Sequence, residues 1–560
     1  RRFSFRPPDP PIYSRTSSMT YFDCCCEIGP RNGKDLLTPW SAGDVLRWMD
    51  HCGIAGALVV HTLSIHNDPI QARKVLAKEI ARAPKRLFPV WAILPPDAGD
   101  ADRTPSELLR AMARQNVRAV KLFPRAHNWP LSLSLIGPTL EALERARILT
   151  LLNFSELPDG NAGGFNHAAY TSLSEILAAF PKLPLLLQGT WWSAQRIVTA
   201  LMARHENLHV EFSSYQINRG IEEYTRRFGA ERLLFGTGLP TKSAGAARAF
   251  VDYAQVSKQD KARIAGGNLS RLLGGVVPAS APRRKPDPLC DRAAMGKPLR
   301  VTVLDAHCHV LHEGGQGGGG VVMYRGDAAG MVEIKDVVGI QKTAIMSWVG
   351  PAASDPVDGN EIVARALRKF PRRYLGVVYL NPTHLSPKQL MAEVRKRVEK
   401  QGFIALKPYL KLGRKYTDPL YKACWEYADR HGLYSLLHTE GAAGTVESMA
   451  ELAKTYPRAQ WVIAHTGGSF SYARRVVALM KEYPNVWAEL TLTASTNGVI
   501  EWMVSEVGDD RILFGTDAPM RDPRPQFGWV VWADIPAASR TRILGGNFQR
   551  LLAMRKTRHE

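Results

Sequence analysis

The sequence predicts an α/β fold of two tandem (β/α)8 TIM-type barrels joined by a proline-rich linker. Three observations support this prediction: a repeat through most of the chain, an alternation of short apolar and longer helical segments in each copy, and polar side chains where the apolar segments end. A chain of 560 residues is also too long for one ordinary domain.

The repeat is visible in two pairs of segments. The stretch Arg232–Pro240 returns as Arg511–Pro519 with Phe-Gly-Thr and the final proline unchanged, and Arg263–Leu273 returns as Arg542–Leu552 around Gly-Gly-Asn. Both pairs are 279 positions apart, and such agreement is hard to produce by chance. We therefore interpret the chain as a tandem duplication.

The duplication divides the sequence into four parts. Residues 19–275 form the first predicted barrel and residues 300–555 the second. Residues 1–18 are rich in proline, arginine and serine and are predicted to be a disordered N-terminal extension. Residues 276–299 carry several prolines and a basic cluster, which is the composition of an extended linker that builds no core.

Short apolar strands alternate with helix-period segments in each copy, as in a barrel of about 250 residues. Predicted helices of the second copy include Asn360–Lys369, Pro387–Lys400 and Pro419–His431. The eight predicted strands of the second copy are Val301–Leu304, Thr343–Met346, Leu375–Leu380, Phe403–Lys407, Tyr434–His438, Trp461–His465, Val486–Leu490 and Ile512–Gly515. The seven predicted strands of the first copy are Ala57–Val60, Leu87–Leu94, Arg118–Leu122, Ile148–Asn153, Leu185–Gln188, Leu208–Phe212 and Leu233–Gly236.

The composition argues against two classes of binding partner, nucleic acids and membranes. The formal net charge is +21, but the basic residues are spread along the chain without a nucleic-acid-binding motif. We therefore expect no nucleic-acid partner, and a basic surface that favours anionic small-molecule substrates. No apolar run reaches the ~20 residues of a membrane-spanning helix, so no membrane partner is expected. The seven cysteines show no CxxC spacing, which favours a reducing, cytoplasmic location.

Polar side chains follow several strands of the second copy. His307 and His309 stand at i and i+2 and therefore share one face of a strand. His438, His465 and Asp517 end later strands. Because barrel active sites lie at the carboxyl ends of the strands, these side chains are expected to meet in one pocket. Two adjacent imidazoles are half of a tetrahedral metal site, so the set predicts a metal centre.

The second copy resembles the amidohydrolase superfamily. It is most similar to the amidohydrolase-related branch (amidohydrolase 2), which holds mononuclear zinc hydrolases and decarboxylases of the aminocarboxymuconate-semialdehyde type. The segments that carry this resemblance are Asp305–His309, Gly402–Lys407, Leu437–Thr439, Ala464–Gly468, Phe514–Pro519 and Ile543–Asn547.

The resemblance implies a set of roles. His307, His309, His438 and Asp517 would bind one divalent metal per chain, with zinc as the expected ion. Such a metal lowers the pKa of a bound water from about 15.7 to about 7. Asp517 would be the general base, and His465 would polarise a substrate carbonyl or move a proton.

Two further residues have less specific predicted roles. Lys407 would either bind substrate or, if carboxylated, bridge two metals. The first copy keeps a lysine at this place (Lys121), which favours the single-metal alternative. His312, at the start of the glycine run 314–320, is a candidate substrate contact.

The first copy has lost the predicted ligands. Cys25 and Glu27 stand at the places of His307 and His309. The sequence alignment also places Asn153, Gln188 and Gly238 opposite His438, His465 and Asp517. The first barrel is therefore predicted to be a pseudo-enzyme domain. It would form an intrachain pseudo-dimer with the second barrel, and further oligomerisation stays open. Its loop residues Arg125, Trp129, Trp191 and Trp192 would either contribute to the pocket of the second barrel or fill the vacated pocket of the first.

The leading functional hypothesis is a metal-dependent amidohydrolase-type hydrolase that cleaves an amide, lactone or similar carbonyl bond of a small organic substrate. The alternative is a metal-dependent, non-oxidative decarboxylase of a carboxylated small molecule, because both chemistries use the same ligands. A non-catalytic binding or scaffold protein is the third hypothesis, suggested by the degenerate first copy.

Overall fold

The computed structural model describes residues 19–31, 40–96, 98, 102, 104–153, 167–317, 321–349, 355–409, 413–439 and 444–555. The predicted extension, residues 1–18, lies outside this range. The chain divides into two compact units with the boundary between Pro286 and Asp287, and the second unit also takes in Ile217–Arg219. Among the described helices, none is both long and apolar enough to cross a bilayer.

The first unit contains an eight-stranded parallel sheet in sequential order. Its strands are β1 Tyr21–Ile28, β2 Ile54–His61, β3 Leu87–Ile93, β4 Ala119–Leu122, β5 Leu149–Asn153, β6 Leu185–Gln188, β7 Leu208–Glu211 and β8 Leu233–Leu234. Its described α-helices are α1 Ala42–Cys52, α2 Leu63–His66, α3 Pro69–Ile80, α4 Pro105–Arg114, α5 Leu133–Ala146, α6 His167–Ala179, α7 Gln195–Arg204, α8 Gly220–Phe228, α9 Ala244–Asp252, α10 Lys258–Ala262 and α11 Asn268–Leu272.

The second unit repeats this architecture. Its strands are β9 Leu304–Val310, β10 Lys342–Ser347, β11 Tyr374–Tyr379, β12 Ala405–Lys407, β13 Tyr434–Leu437, β14 Gln460–Ile463, β15 Val486–Leu490 and β16 Ile512–Phe514. Its described α-helices are α12 Pro288–Ala294, α13 Ala328–Val338, α14 Pro356–Lys369, α15 Pro387–Arg395, α16 Lys422–His431, α17 Met449–Thr455, α18 Phe470–Glu482, α19 Val499–Val507, α20 Pro523–Val531, α21 Ala537–Thr541 and α22 Asn547–Ala553.

Backbone hydrogen bonds between the last and first strands close each barrel. The Cys24 amide donates to the Phe235 carbonyl (2.9 Å), and the Thr516 amide donates to the His307 carbonyl (3.0 Å). The prediction of two (β/α)8 barrels is therefore confirmed. In each barrel the strands are apolar along most of their length because both faces are covered, one by the barrel interior and one by the helices.

The Gly-Gly-Asn motif explains part of this closure. A Cβ on Gly545 would meet the Thr302 carbonyl oxygen at 2.4 Å, so the helical segment before α22 closely approaches the chain just before β9. Asn547, the last residue of the motif, donates from Nδ2 to the Ile512 carbonyl at 2.8 Å. The glycine brings the last helix against the barrel, and the asparagine ties it to β16.

Two predicted boundaries are wrong. The first strand of the second barrel was expected at Val301–Leu304, but β9 begins at Leu304, so both histidines lie inside the strand rather than after it. The linker was expected to hold no folded element, yet α12 begins at Pro288 with its Leu289 and Cys290 side chains buried. Proline at the first position of a helix lacks only a hydrogen bond that the helix does not make there, so it starts α12 instead of breaking it.

Candidate metal centre

Strand β9 presents its two histidines to the carboxyl-terminal mouth of the second barrel. His307 and His309 are both buried, and their ring centroids are 5.5 Å apart. The buried carboxylate of Asp305, two residues earlier, accepts hydrogen bonds from the amide and hydroxyl of Thr516 (3.0 and 2.7 Å) and from the His307 amide (3.1 Å). These bonds tie β9 to the chain that follows β16 and set the position of His307.

Asp517 lies opposite the two histidines. Its Oδ1 is 3.2 Å from His309 Nε2 and 3.5 Å from His307 Nε2. The approach is fixed by the backbone, because the Asp517 amide donates to the His307 carbonyl at 2.7 Å and the His309 amide donates to the Ala518 carbonyl at 2.6 Å. The three side chains, predicted from the first and the last strand of the barrel, thus meet in one buried pocket.

Two groups of potential ligands occur among the described residues, each with its nitrogen and oxygen atoms within 4.8 Å of one another. One is His307, His309 and Asp517, and the other is His307, His465 and Glu489. His438 belongs to neither group, but its ring lies 4.6 Å from the His465 ring. Its assignment as a ligand therefore stays a prediction.

His312 and Lys407 differ in their surroundings. His312 is exposed and lies in the turn after β9, outside both groups of ligand atoms. Lys407 ends β12 and is only 2% exposed. Burial lowers the pKa of Lys407 to about 8, against the charges of Asp517 and Glu489. Lys407 thus lies inside the predicted pocket, whereas His312 lies at the surface.

The protonation states in the pocket suit metal binding. Burial alone would raise the pKa of Asp517, but the charge of Arg521, followed by that of His307, holds this pKa well below its ordinary value. Burial also lowers the pKa of His307 well below its ordinary value and that of His465 to about 4. Metal ligation requires an ionised carboxylate and neutral imidazoles, and these groups are in those states at neutral pH.

The hydrogen bonds of His465 fix its tautomer. Nδ1 lies 2.9 Å from the Thr491 carbonyl and 2.6 Å from the Thr491 hydroxyl. Since a carbonyl only accepts, the proton resides on Nδ1, and Nε2 carries a lone pair. His465 can therefore accept a proton at Nε2, whereas donating to a substrate carbonyl would first require protonation. Of the two roles expected for His465, this geometry supports proton movement.

Glu489 is a residue that the sequence analysis missed. It is the last but one residue of the buried strand β15, and its Oε2 accepts from His307 Nδ1 (3.2 Å), the His465 amide (3.2 Å) and the Thr491 hydroxyl (3.0 Å). Burial raises its pKa to about 8, despite these hydrogen bonds. By accepting from Nδ1, Glu489 directs the Nε2 lone pair of His307 into the pocket. The available signal was Glu211, the same residue type at the same strand end of the first copy.

Arg521 was missed as well. It is 3% exposed, and its Nη2 lies 3.3 Å from Asp517 Oδ2. The first copy holds Lys242 at the corresponding place, so a basic side chain four residues after the Asp517 position occurs in both copies. That recurrence is the signal that could have identified it.

The donor set fits a divalent metal. Four buried atoms of the candidate ligands make no hydrogen bond among the described residues: His309 Nδ1, His438 Nδ1, Glu489 Oε1 and Asp517 Oδ2, the last of which lies 3.3 Å from Arg521 Nη2. Buried polar atoms are seldom left without a partner, and clusters of imidazole nitrogens and carboxylate oxygens are the ligands that zinc and similar ions take. His307, His309 and Asp517 would hold such an ion, with His438, His465 and Glu489 around it.

The first unit keeps the frame of this pocket. The Gly238 amide donates to the Cys25 carbonyl and the Glu27 amide to the Leu239 carbonyl, both at 2.9 Å, as Asp517 and His309 do in the second unit. Cys25, Glu27 and Gly238 therefore occupy the places of His307, His309 and Asp517. Burial raises the pKa of the Cys25 thiol to about 12, so this side chain is neutral.

The predicted correspondence of Gln188 with His465 is wrong by one residue. The Gly189 amide donates to Glu211 Oε1 at 2.7 Å, as the His465 amide donates to Glu489, and the backbone φ angles of Gly189 and His465 are 61° and 62°. Gly189 therefore takes the place of His465. The error arose because both strand ends read as three apolar residues and one polar residue, and only the strand register distinguishes them.

The fold and this pocket define a class of protein, the (β/α)8 barrels with a candidate metal centre at the carboxyl ends of the strands. The family model described as Amidohydrolase matches residues 64–275 and 304–553. The chain therefore belongs to the amidohydrolase family of enzymes, with one match in each unit. No curated protein matches the sequence.

Several solved structures are similar to part of the chain. They include 2,6-dihydroxybenzoate decarboxylase from Rhizobium (18% identity, TM-score 0.36, 45% of this chain and 99% of that one). A dihydroxybenzoic acid decarboxylase from Polaromonas sp. JS666, with bound manganese and 2-nitroresorcinol, has 17% identity, a TM-score of 0.36 and coverage of 46% and 98%. The 5-carboxyvanillate decarboxylase from Sphingomonas paucimobilis has 12% identity, a TM-score of 0.38 and coverage of 45% and 99%. Likeness at this level carries no inference about the reaction of this chain.

Proposed function

We propose that the second unit is a metal-dependent hydrolase that cleaves an amide, lactone or similar carbonyl bond of a small organic molecule. The observation that carries the proposal is the meeting of His307, His309 and Asp517, within 3.2 to 3.5 Å, in a buried pocket. Imidazole nitrogens and carboxylate oxygens are ligands that zinc takes in proteins, so we propose one zinc ion, with His438 as the third imidazole.

A bound divalent ion would supply Lewis acidity to a substrate carbonyl and acidify water. The chain's own residues supply the proton chemistry. Asp517 is ionised and can accept a proton, and His465, whose ring lies 5.2 Å from that of His307, carries a lone pair on Nε2. Glu489 holds the two histidines in place, because it accepts from the His307 ring and from the His465 amide.

A second candidate function, non-oxidative decarboxylation, is favoured by one observation. Lys407 and Arg521 place two buried basic side chains beside the ligand cluster, and such groups suit a carboxylated substrate. Carbon dioxide release from a carboxylated substrate would support decarboxylation. Incorporation of solvent ¹⁸O into the product would support hydrolysis.

The metal assignment is tested by elemental analysis of the purified full chain. We expect close to one equivalent of zinc per chain, reduced by His307→Ala and by Asp517→Asn. Cys25→Ala, the matched change in the first unit, is the control and leaves the zinc content unchanged. Two equivalents would contradict a single metal and revive Lys407 as a bridging ligand, and retention of zinc in both second-unit variants would place the ion elsewhere.

We further propose that the first unit is a pseudo-enzyme domain and that the protein works in the cytoplasm. Replacement of all five candidate site positions in the first unit supports the first proposal. None of the seven cysteines forms a disulfide, as is usual in a reducing compartment, and this supports the second.

A further inference from the structure

We propose that Lys407 and Arg521 form an anion subsite that binds a carboxylate of the substrate beside the metal centre. This inference rests on the proposed function of the second unit and adds the substrate class. It also selects two specificity-determining residues.

The first observation concerns Arg521. Its Nη2 faces Asp517, but its Nε and Nη1 donate to no acceptor among the described residues, although the side chain is 3% exposed. An arginine carries donors in a fixed fork that matches the two oxygens of a carboxylate. A buried guanidinium with two unused donors is therefore a site prepared for an acceptor that the protein does not provide.

The second observation concerns Lys407. Its Nζ also lacks a hydrogen-bond partner among the described residues, and the side chain is 2% exposed. Lys407 ends β12, which pairs with β13, and His438 directly follows β13, so Lys407 lies at the same end of the barrel as the ligand cluster. A buried ammonium without a partner is unfavourable, and a bound anion would offset that cost.

The charge balance of the pocket supports the same conclusion. Asp517 and Glu489 are the carboxylates among the ligand groups, while Asp305 already pairs with the buried Lys335. Two basic side chains together with a divalent ion would leave an excess of positive charge in a buried space. A substrate carboxylate reduces that excess.

The first unit provides an internal comparison. Lys121 and Lys242 stand at the places of Lys407 and Arg521, but each has an acceptor within the unit. Lys121 Nζ lies 3.9 Å from a Glu27 carboxylate oxygen, and Lys242 Nζ donates to the Ser214 hydroxyl. In the first unit, where the metal ligands are replaced, both basic side chains have an acceptor. In the second unit, where the ligands are present, Lys407 Nζ and Arg521 Nε and Nη1 have none among the described residues.

The test measures binding of benzoate and of its uncharged analogue benzamide to the zinc-loaded full chain by calorimetry. We expect Arg521→Met and Lys407→Met each to weaken benzoate binding at least tenfold and to leave benzamide binding unchanged. Arg521→Lys, which keeps the charge and removes the fork, should give a smaller loss. Lys242→Met in the first unit is the matched control and leaves benzoate binding unchanged.

Zinc content is measured on the same samples, so that loss of metal is separated from loss of the anion. Equal benzoate affinity in wild type, Arg521→Met and Lys407→Met would overturn the subsite. So would equal loss of benzoate and benzamide, or tighter binding of inorganic phosphate than of benzoate. If the protein holds no zinc but still distinguishes benzoate from benzamide through Arg521 and Lys407, the proposed function fails and the subsite stands.

Discussion

Glu489 is a single buried residue that fixes the positions of several neighbouring groups. Its Oε2 accepts hydrogen bonds from the His307 ring, the His465 amide and the Thr491 hydroxyl. Outer carboxylates of this kind orient metal-binding imidazoles and raise their basicity. Gly515 leaves the space for it, because a Cβ there would meet Glu489 Oε1 at 2.0 Å.

Glu489→Gln is expected to weaken zinc binding about 10- to 100-fold, because the amide would turn a donor toward groups that now donate to Oε2. Competition against a chromophoric chelator measures this change. Glu211→Gln, the same substitution at the same strand end of the first unit, should leave zinc affinity unchanged. An unaltered affinity in Glu489→Gln would show that His307 needs no orienting carboxylate.

The predictability of the site also differs from residue to residue. The meeting of His307, His309 and Asp517 followed from strand ends alone, because parallel strands of a barrel bring their carboxyl ends to one mouth. Glu489 was not predicted as a site residue because it lies within an apolar segment that was interpreted only as a strand. Arg521 was not predicted because nothing in the neighbouring sequence indicates that its charged side chain is buried.

At the scale of elements, the helix after the first strand differs between the units. Lys335 of α13 donates to the Asp305 carboxylate and to the Thr343 hydroxyl (3.0 Å). Counted back from the glycine that ends each helix, the corresponding residue of α1 is Met49. Asp23, the counterpart of Asp305, therefore has no lysine from this helix, and burial raises its pKa to about 7 despite hydrogen bonds from Thr237 and Cys25.

This difference predicts a pH dependence for β1 of the first unit. The pKa of Asp23 is about 7 in the folded state, above the ordinary value of 3.8 expected when the chain is unfolded. The stability that this neutral carboxyl contributes is present below about pH 4 and is lost as the pH rises to about 7, by about 4 kcal/mol. Asp23→Asn should remove this loss.

Hydrogen–deuterium exchange of peptides from β1 tests the prediction, with wild type and Asp23→Asn compared at the same pH. We expect the variant to be better protected at pH 8 and the difference to shrink at pH 5. Asp305→Asn should have the opposite effect in β9 at both pH values, because it removes the carboxylate that pairs with the buried ammonium of Lys335. Equal protection of β1 in wild type and Asp23→Asn at pH 8 would contradict the raised pKa.

Element boundaries were less predictable than the elements themselves. All eight predicted strands of the second barrel occur, and Val486–Leu490 has the predicted ends. The ends of β9 and the start of α12 were displaced because hydrogen-bond register and helix capping decide them. Asp287 accepts from the Leu289 and Cys290 amides at 3.0 and 2.9 Å and so begins α12 within a stretch whose composition favours a linker.

At the scale of the whole molecule, the two units share a frame and differ in chemistry. Both keep the aspartate that ties the first strand to the last, the glutamate that ends the seventh strand and the glycine pair before the last helix. Within the described residues, both groups of potential metal ligands lie in the second unit. A bound metal ion should therefore stabilise the second unit only.

Zinc at 100 times its dissociation constant should stabilise the second unit by about 2.7 kcal/mol and leave the first unit unchanged. Peptide-resolved hydrogen exchange of the full chain, with and without zinc, measures both effects at once. Slower exchange in β9 and β16, with unaltered exchange in β1 and β8, is the expected pattern. Equal protection of the first unit would contradict its assignment as a pseudo-enzyme domain.

The backbone conformation of His465 and Asp517 bears on how the two copies diverged. His465 and Asp517 adopt left-handed backbone, with φ of 62° and 51°, and the first unit has glycines there, Gly189 and Gly238, with φ of 61° and 75°. A side chain in that conformation costs about 1 kcal/mol or more, and glycine removes the cost. If the first copy once held a histidine and an aspartate at these places, their replacement by glycine relaxed its backbone. On the proposal that the first unit is a pseudo-enzyme domain, loss of these two side chains would have stabilised it, and selection for a sound fold alone would not restore them.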